Sequence, residues 1–201
     1  LKMIDVLFIN PGNSKGIYQE LSNKYSAIEP PTWSLLLAES CRSKKFEVDI
    51  LDCNALQYSH DESLQYVINK NPKLIVFVVY GQNVNAGTTN MSGAVSLANF
   101  LKKNLTDTTI SFVGSHVQAL PIETLKNEKN IDFVFTNEGV YALHNLLKKS
   151  DYSESSLSNT NGIAFRNNDG KILINPSEKI VPQDKLEEDL PGYAWDLLPY
   201  K

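Results

Sequence analysis

Short apolar runs alternate along this chain with longer stretches in which apolar residues recur every three to four positions. Ile4 to Ile9, Phe46 to Leu51, Leu74 to Val79 and Ile110 to Val113 have strand length, and they end in NPGNS, DCN, YGQN and GSHV. Runs apolar at nearly every position, rich in β-branched and aromatic residues, suit strands buried on both faces. Pro30 and Pro31 suit a helix entrance, and Trp33, Leu36, Leu37 and Ser40 fall on one face of a helix reaching about Lys45. Glu62 to Asn69 reads as a helix with Leu64, Val67 and Ile68 inward, closed at Asn71-Pro72. A loop from Tyr80 to Asn90 then leads into a helix with Ala94, Leu97, Ala98, Leu101 and Leu105 inward. Pro121 to Asn127 reads as a short helix, Ile131 to Phe135 as a fifth strand, and Glu138 to Lys149 as a last helix burying Val140, Leu143 and Leu147.

Strict alternation of strand and helix implies right-handed crossovers and helices on both faces of a parallel sheet. The expected fold is α/β, an open doubly wound parallel five-stranded sheet of Rossmann-like or flavodoxin-like type. In such a sheet the polar loops after the strands emerge on one edge, where open α/β sheets bind ligands. Gly12 to Pro31 adds about twenty residues without periodicity, a length that inside compact domains usually serves function.

Beyond residue 150 the grammar changes. Ser153 to Ser158 reads as a flexible connector, because such residues bury little apolar surface. Gly162 to Arg166 and Lys171 to Ile174 form a hairpin pattern around Asn167-Asn168-Asp169-Gly170. The tail from Pro176 ends in LPGYAWDLLPY, and its Trp195, Leu197, Leu198 and Tyr200 have no evident partner in the first 150 residues, so they are expected to dock against something. The expected organisation is an α/β domain over 1–150, then a connector, hairpin and linker over 151–201.

The 201 residues carry a formal charge of −4. That argues against nucleic acid, whose binders usually present a basic stripe. The N-terminal run is too short for a membrane span and no cleavage pattern follows it, which predicts a cytoplasmic protein with no membrane partner. Cys41 and Cys53 fit neither a disulfide framework nor a zinc site and read as reduced thiols.

Chemistry-bearing residues are few. Asp52 stands where a dinucleotide-binding fold places a ribose-binding acid, yet no G-x-G fingerprint or GK[ST] triplet accompanies it, so it reads as a capping residue. Glu138 opens the last helix, where the dipole favours a carboxylate. His60 and His144 read as solvated, and His116 reads either as facing a ligand or as capping the helix after GSHV. No spacing matches a hydrolase triad or a carboxylate pair.

NPG after the first strand, EPPTWSLLLAESCRSKKFEVDILD, YGQN, VGSHVQALP, IDFVFTNEG and DLPGYAWDLLPY occur in one order over nearly the whole chain. Together they resemble the N-terminal cobalamin-binding domain of cobalamin-dependent radical S-adenosylmethionine enzymes. The resemblance implies cobalamin held by Asn10, Pro11, Gly12, Tyr80, Gly81, Gln82, Asn83, Gly114, Ser115, His116, Val117, Glu138 and Gly139. It implies a base-off cofactor with no DxHxxG histidine on cobalt, and no such motif occurs in the sequence. It further implies that the CxxxCxxC iron–sulfur cluster and S-adenosylmethionine belong to a radical domain of the same polypeptide, so that this chain is not catalytic alone. The expected function is positioning (methyl)cobalamin for methyl transfer. GSHV replaces the family's GGPH and NEGV its GEGE, which leaves two alternatives: a cofactor-free docking domain, whose crevice would be filled by Tyr80, Tyr18 or another bulky side chain, or a flavodoxin-like binder of flavin or another phosphate-bearing ligand.

Overall fold

A computed structural model describes residues 3–12, 29–80 and 84–199, with only the helical backbone for 84–89. Tyr18, Gly81, Gln82, Asn83 and Tyr200 lie outside the described residues.

Five parallel strands form the centre: β1 (Ile4–Asn10), β2 (Val48–Asp52), β3 (Pro72–Val78), β4 (Thr109–Val113) and β5 (Phe133–Phe135). Each strand sends alternate side chains to opposite faces. Val6 and Phe8 join one core while Leu7 and Ile9 join the other, and Val76 and Phe77 part in the same way. This two-sided burial is why the central runs are apolar at nearly every position.

The expected count of five strands is corrected to seven. β6 (Ile163–Arg166) and β7 (Ile172–Ile174) are the hairpin read from the sequence, but β6 pairs antiparallel with β5, giving the order β2-β1-β3-β4-β5-β6-β7. An edge strand with open N–H and C=O groups recruits another strand. Ile163, Ala164 and Phe165 are fully buried in that position.

In chain order the helices are α1 (Thr32–Ser43), α2 (Cys53–Leu56), α3 (His60–Lys70), α4 (Val84–Asn104), α5 (Ser115–Ala119), α6 (Pro121–Asn127), α7 (Val140–Lys149) and α8 (Glu154–Ser158). Residues of α1 and α7 pack in one core, and those of α3, α4, α5 and α6 in the other. The order 2-1-3-4-5 with helices on both faces is the flavodoxin-like winding, whose switch point lies between β1 and β3.

Several local expectations change. In α1 the buried stripe is Ser34, Leu35, Leu37, Ala38, Ser40 and Cys41, while Leu36 is only half-buried. Helix α3 starts two residues early on a Ser59–Glu62 capping box, and Ile68 is 40% exposed. Most of the expected Tyr80 to Asn90 loop is already helical, since α4 begins at Val84. Ser153 to Ser158 is no loose connector: Ser153 caps α8, which buries Leu157. Among the described residues no helix is long and apolar enough to cross a membrane.

The tail has a partner after all. It passes through α9 (Leu186–Asp189) and packs on the α1–α7 face, where Val181, Ala194 and Leu198 are buried. The Ala194 N–H donates to the Leu35 carbonyl at 3.3 Å, and Arg42 grips both carboxylate oxygens of Asp196 at 2.6 and 2.9 Å.

Candidate functional site

In a parallel sheet the strand exits share one edge, and the register here places them side by side. Asn10 pairs with Asp52 and Val78 with Val113. The Asn10 side chain donates to Asp52 Oδ1 at 2.9 Å, and the same oxygen accepts the Asn54 and Ala55 N–H groups at 3.1 Å. Asp52 therefore caps α2, as its sequence context suggested, and ties the loop after β1 to the loop after β2. Pro11 is buried, while Gly12 is exposed with its Cα close over the next loop: a Cβ there would lie 3.1 Å from the Cys53 carbonyl.

Gly114 follows β4. A Cβ at this position would lie 2.1 Å from the Val79 carbonyl oxygen, so its missing side chain admits the chain's own backbone. Ser115 and His116 open α5. The Val117 side chain is fully buried in the core and leaves only its backbone at the edge. His116 lines a groove of about 690 Å³ with Met91, Ser92, Leu120 and Glu123.

Past β5, Gly139 takes a left-handed φ of +88° and its N–H donates to Asn137 Oδ1 at 3.0 Å. Helix α7 starts one residue later, so Glu138 lies ahead of the helix and its expected role with the dipole is corrected. Its carboxylate instead accepts the Val181 N–H of the tail at 2.6 Å. Asn137 likewise donates to the Glu178 carbonyl at 3.0 Å.

Two residues that sequence reading did not place at the edge bind these loops together, and a third, next to one of them in the chain, stays unpaired. Trp33, in the first turn of α1, donates its indole N–H to the Glu138 carbonyl at 3.1 Å and meets the Tyr80 ring edge to face at 5.7 Å. Gln118 donates to the Tyr80 hydroxyl and, at 2.7 Å, to the Asn137 carbonyl. Ser34 Oγ is fully buried and without a hydrogen-bond partner. Trp33 and Ser34 follow Pro30-Pro31 after Thr32 alone, and that helix entrance was the available signal.

The edge presents mostly uncharged hydrogen-bonding groups beside two carboxylates. Asp52 and Glu138 spend their carboxylates on N–H groups, and residues 10–12, 52–57, 114–118 and 136–139 contain no Lys or Arg. Burial raises the Tyr80 hydroxyl to about 12, partly offset by the Gln118 hydrogen bond, so it stays protonated. Since its oxygen accepts from Gln118, its own proton is available as a donor.

The profile of the B12 binding domain family matches residues 21–147, well over half of the chain. The chain belongs to the B12 binding domain family. Solved structures agree on the fold. The cobalamin-dependent S-adenosylmethionine radical enzyme OxsB, with aqua-cobalamin and S-adenosylmethionine bound, superposes with a TM-score of 0.66 at 16% identity, over 93% of this chain and 25% of OxsB. The radical S-adenosylmethionine methyltransferase TsrM from Kitasatospora setae, with tryptophan substrate and a S-adenosylmethionine analogue bound, gives 0.61 at 16% identity, over 85% of this chain and 30% of TsrM. The chain thus spans less than a third of either enzyme. No curated protein sequence matches.

The edge fits the family's cofactor. Cobalamin is a large, mostly neutral ring fringed with amides, and a binder needs unspent neutral donors and acceptors more than charges. The Tyr80 hydroxyl proton is such a group, with no acceptor among the described residues.

Proposed function

We propose that this B12 binding domain holds cobalamin over the C-terminal edge of the sheet and presents it to a radical S-adenosylmethionine domain of the same polypeptide. The observation that carries the reading is the convergence of the exits of β1, β3, β4 and β5 on one polar edge at the switch point of a chain of this family. The protein's part is to bind, orient and shield; the bound cofactor supplies a cobalt centre able to carry a methyl group. Asn10, Tyr80 and Ser115 would bond to amides of the ring. On the family resemblance the cofactor would be held with its own base displaced, and the sequence carries no DxHxxG histidine to take that place. The iron–sulfur cluster and S-adenosylmethionine belong, on this reading, to the partner domain, and the joint reaction is methyl transfer.

Hydroxocobalamin mixed with the purified chain at micromolar concentration is expected to co-elute on gel filtration with its visible spectrum. Elution of a colourless protein peak overturns the reading. A cofactor-free docking domain is the second reading, favoured by the presence of Trp33 and Tyr80 against each other at the edge.

A further inference from the structure

The geometry points to Trp33 as a ligand-contacting residue, the aromatic wall of the crevice on the α1 side; this rests on the cobalamin reading above. Trp33 lies in the first turn of α1 and reaches the exit of β5, 105 residues away, through its indole N–H. Its one polar atom is thereby spent. Tyr80, at the exit of β3, takes up part of the indole surface in an edge-to-face contact. The indole is still only half-buried, so a patch of apolar ring surface remains open beside the polar loops.

Position makes that patch useful. Trp33 belongs to the helix that follows β1 on one face, and Tyr80 to the chain just past β3, whose following helix lies on the other, so the pair stands at the switch point itself. The indole is held from two sides, by the Glu138 carbonyl and by a Tyr80 that Gln118 anchors. A ring fixed in this way offers flat apolar surface at little further loss of side-chain freedom, which suits contact with a large ring ligand. Tyr80 adds a hydroxyl proton not used by any described residue, directed to an amide oxygen of the same ligand. The alternative, that the pair plugs the crevice, predicts the opposite response to its removal.

Binding of hydroxocobalamin and of cobinamide, which lacks the nucleotide tail, is measured by visible titration for the full chain and for Trp33→Ala, Trp33→Phe and Tyr80→Phe. Contact with the ring predicts that Trp33→Ala weakens both ligands about tenfold or more. Trp33→Phe falls between it and the parent, and Tyr80→Phe loses a few-fold. Visible circular dichroism of the bound corrinoid is expected to change in Trp33→Phe, which a purely structural role would not produce, and thermal unfolding without ligand separates lost folding from lost contact. Unchanged or tighter binding by a folded Trp33→Ala, with the parent still binding, overturns this inference alone. Failure of the parent chain to bind either ligand brings down the cobalamin reading and this inference together.

Discussion

Gly114 illustrates how a glycine at a ligand-binding edge can serve the sheet first. A methyl group there would sit 2.1 Å from the Val79 carbonyl oxygen, inside the backbone of the neighbouring strand exit. Gly114→Ala is expected to destabilise the chain by about 1–3 kcal/mol, the range for overpacking a rigid site, in urea denaturation; an unchanged midpoint would show that β3 and β4 part freely there. Asp52 is the converse case, a candidate ligand acid whose carboxylate is consumed by the first turn of α2 and by Asn10. Asp52→Ala should lower stability by about 2 kcal/mol in the same assay. Its capping role was readable in advance, because no glycine fingerprint accompanied it. The role of Glu138 was not, because its partner, Val181, is 43 residues away.

The pairing of α1, α7 and α9 rests on a buried polar cluster. Ser40 donates its hydroxyl proton to the Asp189 carbonyl, so in its 3.0 Å contact with His144 the donor is the imidazole Nε2–H. Asp189 accepts from Tyr141 at 2.6 Å and pairs with Lys44 at 2.7 Å. Burial, with help from Lys44 and Lys148 and against the pull of Asp189, lowers His144 to about 4. The folded state therefore resists a proton that the unfolded chain accepts below its ordinary 6.5. Stability should be level above pH 6.5, then fall as pH drops towards 4, by up to about 3 kcal/mol. Asp189, held below the usual carboxylate range chiefly by hydrogen bonds from Lys44 and Tyr141, loses its contribution at still lower pH and in the same direction. The check is urea denaturation across pH for the parent and His144→Leu, with the slope between 6.5 and 4 expected to flatten in the variant. His144 was misread as solvated although Val140, Leu143, His144 and Leu147 share one helical stripe. Polarity outweighed position in that reading.

Across the whole molecule the tail acts as a strap over the α1–α7 face. It fastens the exit of β5 through Asn137–Glu178 and Glu138–Val181, and α1 through Arg42–Asp196. Exposed ion pairs such as the last contribute little, so the burial of Val181, Ala194 and Leu198 supplies most of the attachment. A chain ending at Asn175 is expected to melt on the order of 10 °C lower by circular dichroism. It should also retain less hydroxocobalamin on gel filtration, because the Asn137–Gly139 loop is released. Equal retention would uncouple the strap from the site.

The strand segments, the inward stripe of α4, the parallel α/β class and the shared edge followed from periodicity along the chain. Burial on two faces or on one stripe is a local constraint that each segment records in its own residues. The seventh strand's place in the sheet, the burial of His144, the occupation of Glu138 by the tail and the meeting of Trp33 with Tyr80 were settled only by the folded chain. Each depends on groups brought together from distant segments, and a hydrogen bond across 105 residues leaves no pattern at either end.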